Sequence, residues 1–183
     1  MIERIDVAAG RVTGRLSGGE AHEVTGLAVS GDGSLLYEAI NTSLTVIEWD
    51  ASTANVLHEV NLAAVAGGGV EAGPGTVWVH YATGMADAIT GLRAADLSQV
   101  PTPIGVGTDG FPERLGSAVV DKTLLVIGLR RAGCVDAATG QMLATFDFPF
   151  GADTTPWAVG TDGMFGVSHE GLTPVAIPPS CPT

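Results

Sequence analysis

Apolar and polar positions along this 183-residue chain come in short runs separated by turn residues, with no convincing 3.6-residue period. Leu35-Leu36-Tyr37, Val77-Trp78-Val79, Leu124-Leu125-Val126-Ile127 and Met164-Phe165-Gly166-Val167 read as strands rich in β-formers. A turn precedes each of them: Ser30-Gly31-Asp32-Gly33, Gly73-Pro74-Gly75, Val120-Asp121-Lys122 and Thr161-Asp162-Gly163. Before each turn stands another apolar or alternating run, Thr25 to Val29, Val70 to Ala72, Leu115 to Val119 and Trp157 to Val159. The pattern predicts an all-β chain. Val60 to Ala66 is the one stretch that reads as a loop or a short helical turn, and Gly67-Gly68-Gly69 reads as a loop.

A second mark keeps step with the first. Asp6-Val-Ala-Ala-Gly10, Asp50-Ala-Ser-Thr53-Ala-Asn55, Asp96-Leu-Ser-Gln-Val100 and Asp136-Ala-Ala-Thr139-Gly140 each look like an aspartate that ends one strand and opens a turn into the next. An Asp carboxylate accepts from backbone N–H groups two or three residues on, a Thr hydroxyl reinforces the turn, and Gly or Asn takes the left-handed conformation. These aspartates are separated by 44, 46 and 40 residues. Three strands and then a fourth, repeated every 40 to 47 residues, match the four-stranded blade of a β-propeller.

Gly73-Pro74-Gly75 followed by Val77-Trp78-Val79, together with Asp136-Ala-Ala-Thr139-Gly140, resembles the YVTN/NHL/quinoprotein-like propeller repeats, and the resemblance covers nearly the whole chain. It implies β-propeller blades of four antiparallel strands, about four of them. It is almost silent on function, because such repeats occur in binding modules, sensor domains, dehydrogenases and lyases. Asp96 lacks the Thr-Gly, and the last repeat has Thr173-Pro174-Val175 where an aspartate is expected. The blades predicted are a partial one at 1–16, then 23–62, 70–104, 113–149 and 155–177. Residues 2–16 supply only the two outer strands of a blade, so three closures stay open: a small four-bladed ring, a part of a larger ring with missing blades, or a homodimer that composes one ring from two chains.

Composition narrows the partners. Apolar residues make up 45% and charged residues 15%, as in a folded domain, while the formal net charge is −12. That acidity argues against nucleic acid and against acidic membrane surfaces, which need Lys and Arg. No run of 18 apolar residues is present for a membrane-spanning helix, and the N-terminus lacks the basic-then-apolar pattern of a signal peptide, so localisation stays open. Cys134 and Cys181 could pair or could be two buried thiols.

Candidate chemistry sits at the predicted loop face. Glu23, Glu71 and Glu113 stand at the expected starts of three inner strands, where they would ring the mouth of the central channel. Crowded carboxylates there could bind a ligand or hold Ca2+, though a solvated acidic rim with no cofactor is the plainer reading, and a bound quinone is disfavoured by the few Trp and basic residues. The loops between second and third strands offer Asn41, His80, Tyr81, Arg130, Arg131, His169 and Glu170. His80 and His169 with Glu170 are the candidates for acid–base work, and Arg130-Arg131 for clamping a carboxylate or phosphate. Trp49, Trp78 and Trp157 are better placed for packing between sheets. No Walker loop, G-x-G-x-x-G, C-x-x-C or G-x-S-x-G occurs. The expectation is a non-catalytic scaffold that presents a loop face to a protein or small-molecule ligand, with a lyase or hydrolase built on a His/Glu site near the axis as the alternative.

Overall fold

The computed structural model describes residues 2–16, 23–41, 44–62, 66–82, 87–100, 104–105, 116–127, 131–147, 157–160, 163–168, 171–175, 177, 179 and 181. Within them the chain is all β. A hairpin of β1 (Ile2–Asp6) and β2 (Arg11–Leu16) comes first. Blade 1 follows as β3 (Val24–Val29), β4 (Leu35–Ile40), β5 (Thr45–Asp50) and β6 (Val56–Asn61). Blade 2 holds β7 (Ala66–Ala72), β8 (Thr76–Ala82), β9 (Asp87–Arg93) and the short β10 (Ile104–Gly105). Blade 3 holds β11 (Gly116–Val120), β12 (Thr123–Ile127), β13 (Arg131–Asp136) and β14 (Met142–Asp147), and blade 4 shows β15 (Trp157–Gly160), β16 (Gly163–Ser168) and β17 (Gly171–Val175). In every sheet sequential strands pair antiparallel, so each blade is a meander of four, or of three in the last. Inner strands meet in chain order, β3 on β7, β7 on β11 and β11 on β15. This is β-propeller architecture.

The turns between third and fourth strands are built as the aspartate pattern implies. Asp50 Oδ1 accepts from the N–H groups of Ser52 and Thr53, both at 2.8 Å, and from the Ser52 hydroxyl at 2.6 Å. Asp136 Oδ1 does the same with Ala138 at 3.0 Å and with the Thr139 N–H and hydroxyl at 2.8 and 2.9 Å. In the hairpin, Asp6 accepts from Ala9 N–H at 2.9 Å. The Ser52 hydroxyl and the N–H groups behind it hold the Asp50 carboxyl down at about 2, and the Thr139 N–H and hydroxyl lower that of Asp136.

Blade 2 departs from the expected register. The turn residue equivalent to Asp50 and Asp136 is Arg93, not Asp96. Asp50 N–H donates to Asn55 O, Arg93 N–H to Ser98 O and Asp136 N–H to Gln141 O; four residues on, the N–H groups of Ala54, Leu97 and Gly140 return to the same three residues. Ala54, Leu97 and Gly140 all take positive φ, at 63°, 55° and 76°, and Gly10 matches them at 60°. The true markers are thus Asp6, Asp50, Arg93 and Asp136, at intervals of 44, 43 and 43 residues. Asp96 instead caps Ser98 N–H at 2.9 Å inside the turn, while Arg93 donates to the Ser98 hydroxyl at 2.9 Å. Buried Leu97 anchors this turn by its side chain, which offsets the strain of a left-handed leucine.

The core lies in the seams between blades. Tyr37, Ala39 and Val46 of blade 1 close on Val70, Val77, Val79 and Leu92 of blade 2. Trp78 and Ile89 on the other side of blade 2 close on Leu124, Val126 and Val135 of blade 3. Gly67-Gly68-Gly69, expected as a loop, belongs to β7. Small residues are required there because a Cβ at Gly26 would lie 2.7 Å from Val70 N, and one at Gly68 or Gly69 would collide with the His80 ring. Blade 3 also carries a cross-link: Cys134 of β13 is disulfide-bonded to Cys181, with Cα atoms 5.6 Å apart and a sequence separation of 47. Leu125, Ile127 and Ala132 pack around the bridge.

Candidate functional site

The seam between blades 2 and 3 gathers two of the residues singled out in the sequence. Glu71 pairs with Trp78 and Gly69 with His80 across β7 and β8, so Glu71, Trp78 and His80 share the face turned to blade 3. Opposite them β11 presents Ser117. His80 Nδ1 and Ser117 Oγ share a hydrogen bond of 3.1 Å in half-buried surroundings. Trp78 Nε1 donates to the carbonyl of Ala137 at 2.8 Å, which fixes the outer end of the same seam. Glu71 is half-buried at the inner end, and that burial pushes its carboxyl up to about 7. Glu71 and His80 are diagonal neighbours on one face, ~7–8 Å apart in a regular ladder. The seam therefore holds an imidazole, a hydroxyl and a carboxyl that titrates near neutrality.

His80 and Tyr81 lie inside β8 rather than in the following loop, and Arg131 begins β13 opposite Asp147. Glu23 is exposed just ahead of β3. Its backbone carbonyl accepts from Asn41 N–H at 3.0 Å and its Oε2 from Asn41 Nδ2 at 3.1 Å, which ties the entry to β3 to the end of β4. In blade 2 the pair equivalent to Glu23 and Asn41 is Ala66 and Ala82, so Glu71 sits five residues further along its strand. At ~3.3 Å per residue that is roughly 16 Å from the end marked by Glu23. Glu23 and Glu71 consequently do not share a rim: of the expected ring of carboxylates, the described residues place Glu23 at the rim and Glu71 in the seam. Glu113, Arg130, His169 and Glu170 lie outside the described residues. Among those described, no three of His, Cys, Asp and Glu are grouped to hold a metal ion.

Ser117 was not among the sequence candidates, though a lone hydroxyl residue within the apolar run Leu115 to Val119 is a signal that could have found it. Blade 1 carries two further polar pairs, one buried and one half-buried. Glu38 accepts from Trp49 Nε1 at 3.0 Å, and Glu48 meets His58 Nδ1 at 2.8 Å. Beside them, burial and the Glu48 and Asp32 charges raise the Tyr37 phenol to about 12, so it stays protonated.

No protein-family model and no curated protein matches the chain. Solved structures do. The β-propeller domain of Myceliophteria thermophila Cps50 (Swd1) is 17% identical, with a TM-score of 0.63 over 90% of this chain and 54% of that one. Kuenenia stuttgartiensis hydrazine synthase is 19% identical, with a TM-score of 0.66 over 88% and 48% of the two chains. The computationally designed Ika4 protein, at 13% identity and a TM-score of 0.61, is covered to 94% of its length. The chain thus spans about half the length of the Cps50 and hydrazine synthase chains it matches. Likeness at this identity establishes the propeller fold.

Proposed function

We propose that this chain is a non-catalytic propeller module that presents its loop-bearing end to a protein or small-molecule ligand. The observation that supports this reading best is where the polar groups go. Glu23 and Asn41 join two loops at one end in an exposed position, while His80 and Glu71 are drawn into a seam that packing already uses. A rigid stack of blades with a polar end is what a binding platform needs. The test is a thermal-shift screen of the purified protein against a metabolite panel, followed by calorimetry of any ligand found. The reading requires an affinity that falls at least tenfold in Glu23→Lys and stays unchanged in His80→Gln.

One observation favours an enzyme instead. The His80–Ser117 bond pairs a potential base with a potential nucleophile, and Glu71 stands on the same face. Covalent labelling by a fluorophosphonate that disappears in both Ser117→Ala and His80→Gln would establish that reading and end the first.

A further inference from the structure

Ala51, Ala94 and Ala137 are equivalent residues, one in each turn between third and fourth strands. Their N–H groups donate to the carbonyls of Ser34, Gly75 and Lys122 at 2.9, 3.0 and 2.8 Å. Three residues beyond those carbonyls stand Tyr37, Trp78 and Leu125, which alternation puts on the same face of their blades. The first strands place Ala28 beside Tyr37, Glu71 beside Trp78 and Ala118 beside Leu125. In the seam between blades 2 and 3 a carboxyl thus stands where blades 1 and 3 carry a methyl group.

The third strands place Glu48 beside Tyr37 and Gly91 beside Trp78. Glu48 is buried, but the His58 imidazole meets it at 2.8 Å. Gly91 offers Glu71 nothing comparable, and a Cβ there would lie 3.1 Å from the Trp78 ring. Glu71 has no hydrogen-bond or ionic partner among the described residues, and burial alone pushes its carboxyl up to about 7. β8 turns Trp78 and His80 to the same seam and β11 turns Ser117, with His80 Nδ1 already bonded to Ser117 Oγ. β3 and β4 pack on the opposite face of β7, where Tyr37 is the ionisable group. Lys122 and Asp136 of blade 3 answer each other, and Glu113 lies outside the described residues. Three side-chain bonds cross the seam: Trp78 Nε1 to Ala137 O at 2.8 Å, Thr76 Oγ1 to Ala138 O at 3.4 Å, and the His80–Ser117 bond. A neutral acid fits between packed sheets, whereas an ionised one without a partner is costly there.

We infer that Glu71 is a pH-operated latch on this seam: its neutral carboxyl lets blades 2 and 3 close, and its ionisation loosens them and admits water to His80 and Ser117. In the closed seam the acid titrates at about 7, and once solvated it returns to the ordinary 4.5. Between those values the closed seam keeps a proton that the loosened seam has lost. The ratio of loosened to closed therefore climbs with pH from 4.5 to about 7 and levels off beyond. The inference is independent of the loop-end reading above.

Hydrogen exchange of the Trp78 indole N–H tests it, because the Ala137 carbonyl holds that proton across the seam. The exchange is followed by NMR on the whole chain carrying isotope-labelled tryptophan, with each rate divided by that of free tryptophan at the same pH. Protection should fall at least tenfold between pH 4.5 and about 7 and stay level above. Glu71→Gln should remove the fall, and so should Glu71→Ala, which installs the residue of blades 1 and 3. Protection that is flat in the wild type overturns the proposal. So does a fall that survives both substitutions, or one that survives Glu71→Gln and vanishes in His80→Gln or Glu113→Gln. An equal fall at the Trp49 indole, bonded to Glu38 within blade 1, overturns it as well, because the whole chain would then be loosening.

Discussion

At the seam between blades 2 and 3, Trp78 is 1% exposed and its indole N–H rests on the Ala137 carbonyl; at the seam ahead of blade 1, the equivalent carbonyl of Ala51 is held by the exposed guanidinium of Arg4. The acceptor, the turn and the backbone geometry are the same. The inner strands repeat the contrast: Leu27 of β3 is 47% exposed, whereas Val70, its counterpart on β7, is 3% exposed against blade 1. An aromatic side chain removes about 150–250 Å² from water, while an exposed charged contact is worth about 0–1 kcal/mol. Burial, rather than the hydrogen bond, distinguishes a closed seam from an open one.

The largest test of that contrast is Trp78→Ala against Arg4→Ala. The first should lose about 3–5 kcal/mol in urea unfolding and the second less than about 1 kcal/mol; equal losses would mean that the hydrogen bond carries the seam. Next comes the bridge behind blade 3. The double substitution Cys134→Ser with Cys181→Ser should lose about 2–4 kcal/mol, because a bond closing 47 residues restricts the unfolded chain. Wild-type protein under reductant should match the variant.

Glu71 then probes how dry the closed seam is. Its folded pKa of about 7 lies above the ordinary value of 4.5, so the protonated form favours folding. The stability it gives is complete below about pH 4.5 and is lost as pH rises through 7. The loss should amount to about 2 kcal/mol once its partial exposure is allowed for. Glu71→Gln should therefore flatten melting temperature against pH between 4.5 and about 7, the window set by those two pKa values. A wild type already flat there would show that water reaches the carboxyl. The smallest effect has the opposite sign. Ala54→Gly, at φ 63° on the wall of the cleft between the hairpin and blade 1, should gain about 0.5 kcal/mol by relieving the left-handed alanine.

Local chemistry was readable from sequence, and proximity across blades was not. The turns at Asp6, Asp50 and Asp136 are legible because one carboxylate and the next few N–H groups make them. Arg93 is invisible to that logic: its turn closes by backbone bonds and by buried Leu97, so the nearby Asp96 draws the eye and the apparent period becomes uneven. The glycines at 67–69 look like a loop until the His80 ring is seen lying over them, a contact between adjacent strands that composition cannot express. Read as a loop, they put the start of β7 at Val70, which sets Glu71 level with Glu23 although the two stand at different heights. The pairing of His80 with Ser117 spans 37 residues and two sheets, so only the fold could bring it into view.

The Cys134–Cys181 bond has a consequence for cleavage. A protease cutting the backbone once between these two residues would open the chain without releasing either piece, since the sulfur bridge still joins them. The last sheet, β15 to β17, lies wholly within that span. On a denaturing gel such a nicked protein runs near full mass until reductant separates it into two fragments. A stack that otherwise holds together neighbour by neighbour thus has a covalent clasp at one end, and the redox state of the surroundings decides whether a single cut is silent or severs it.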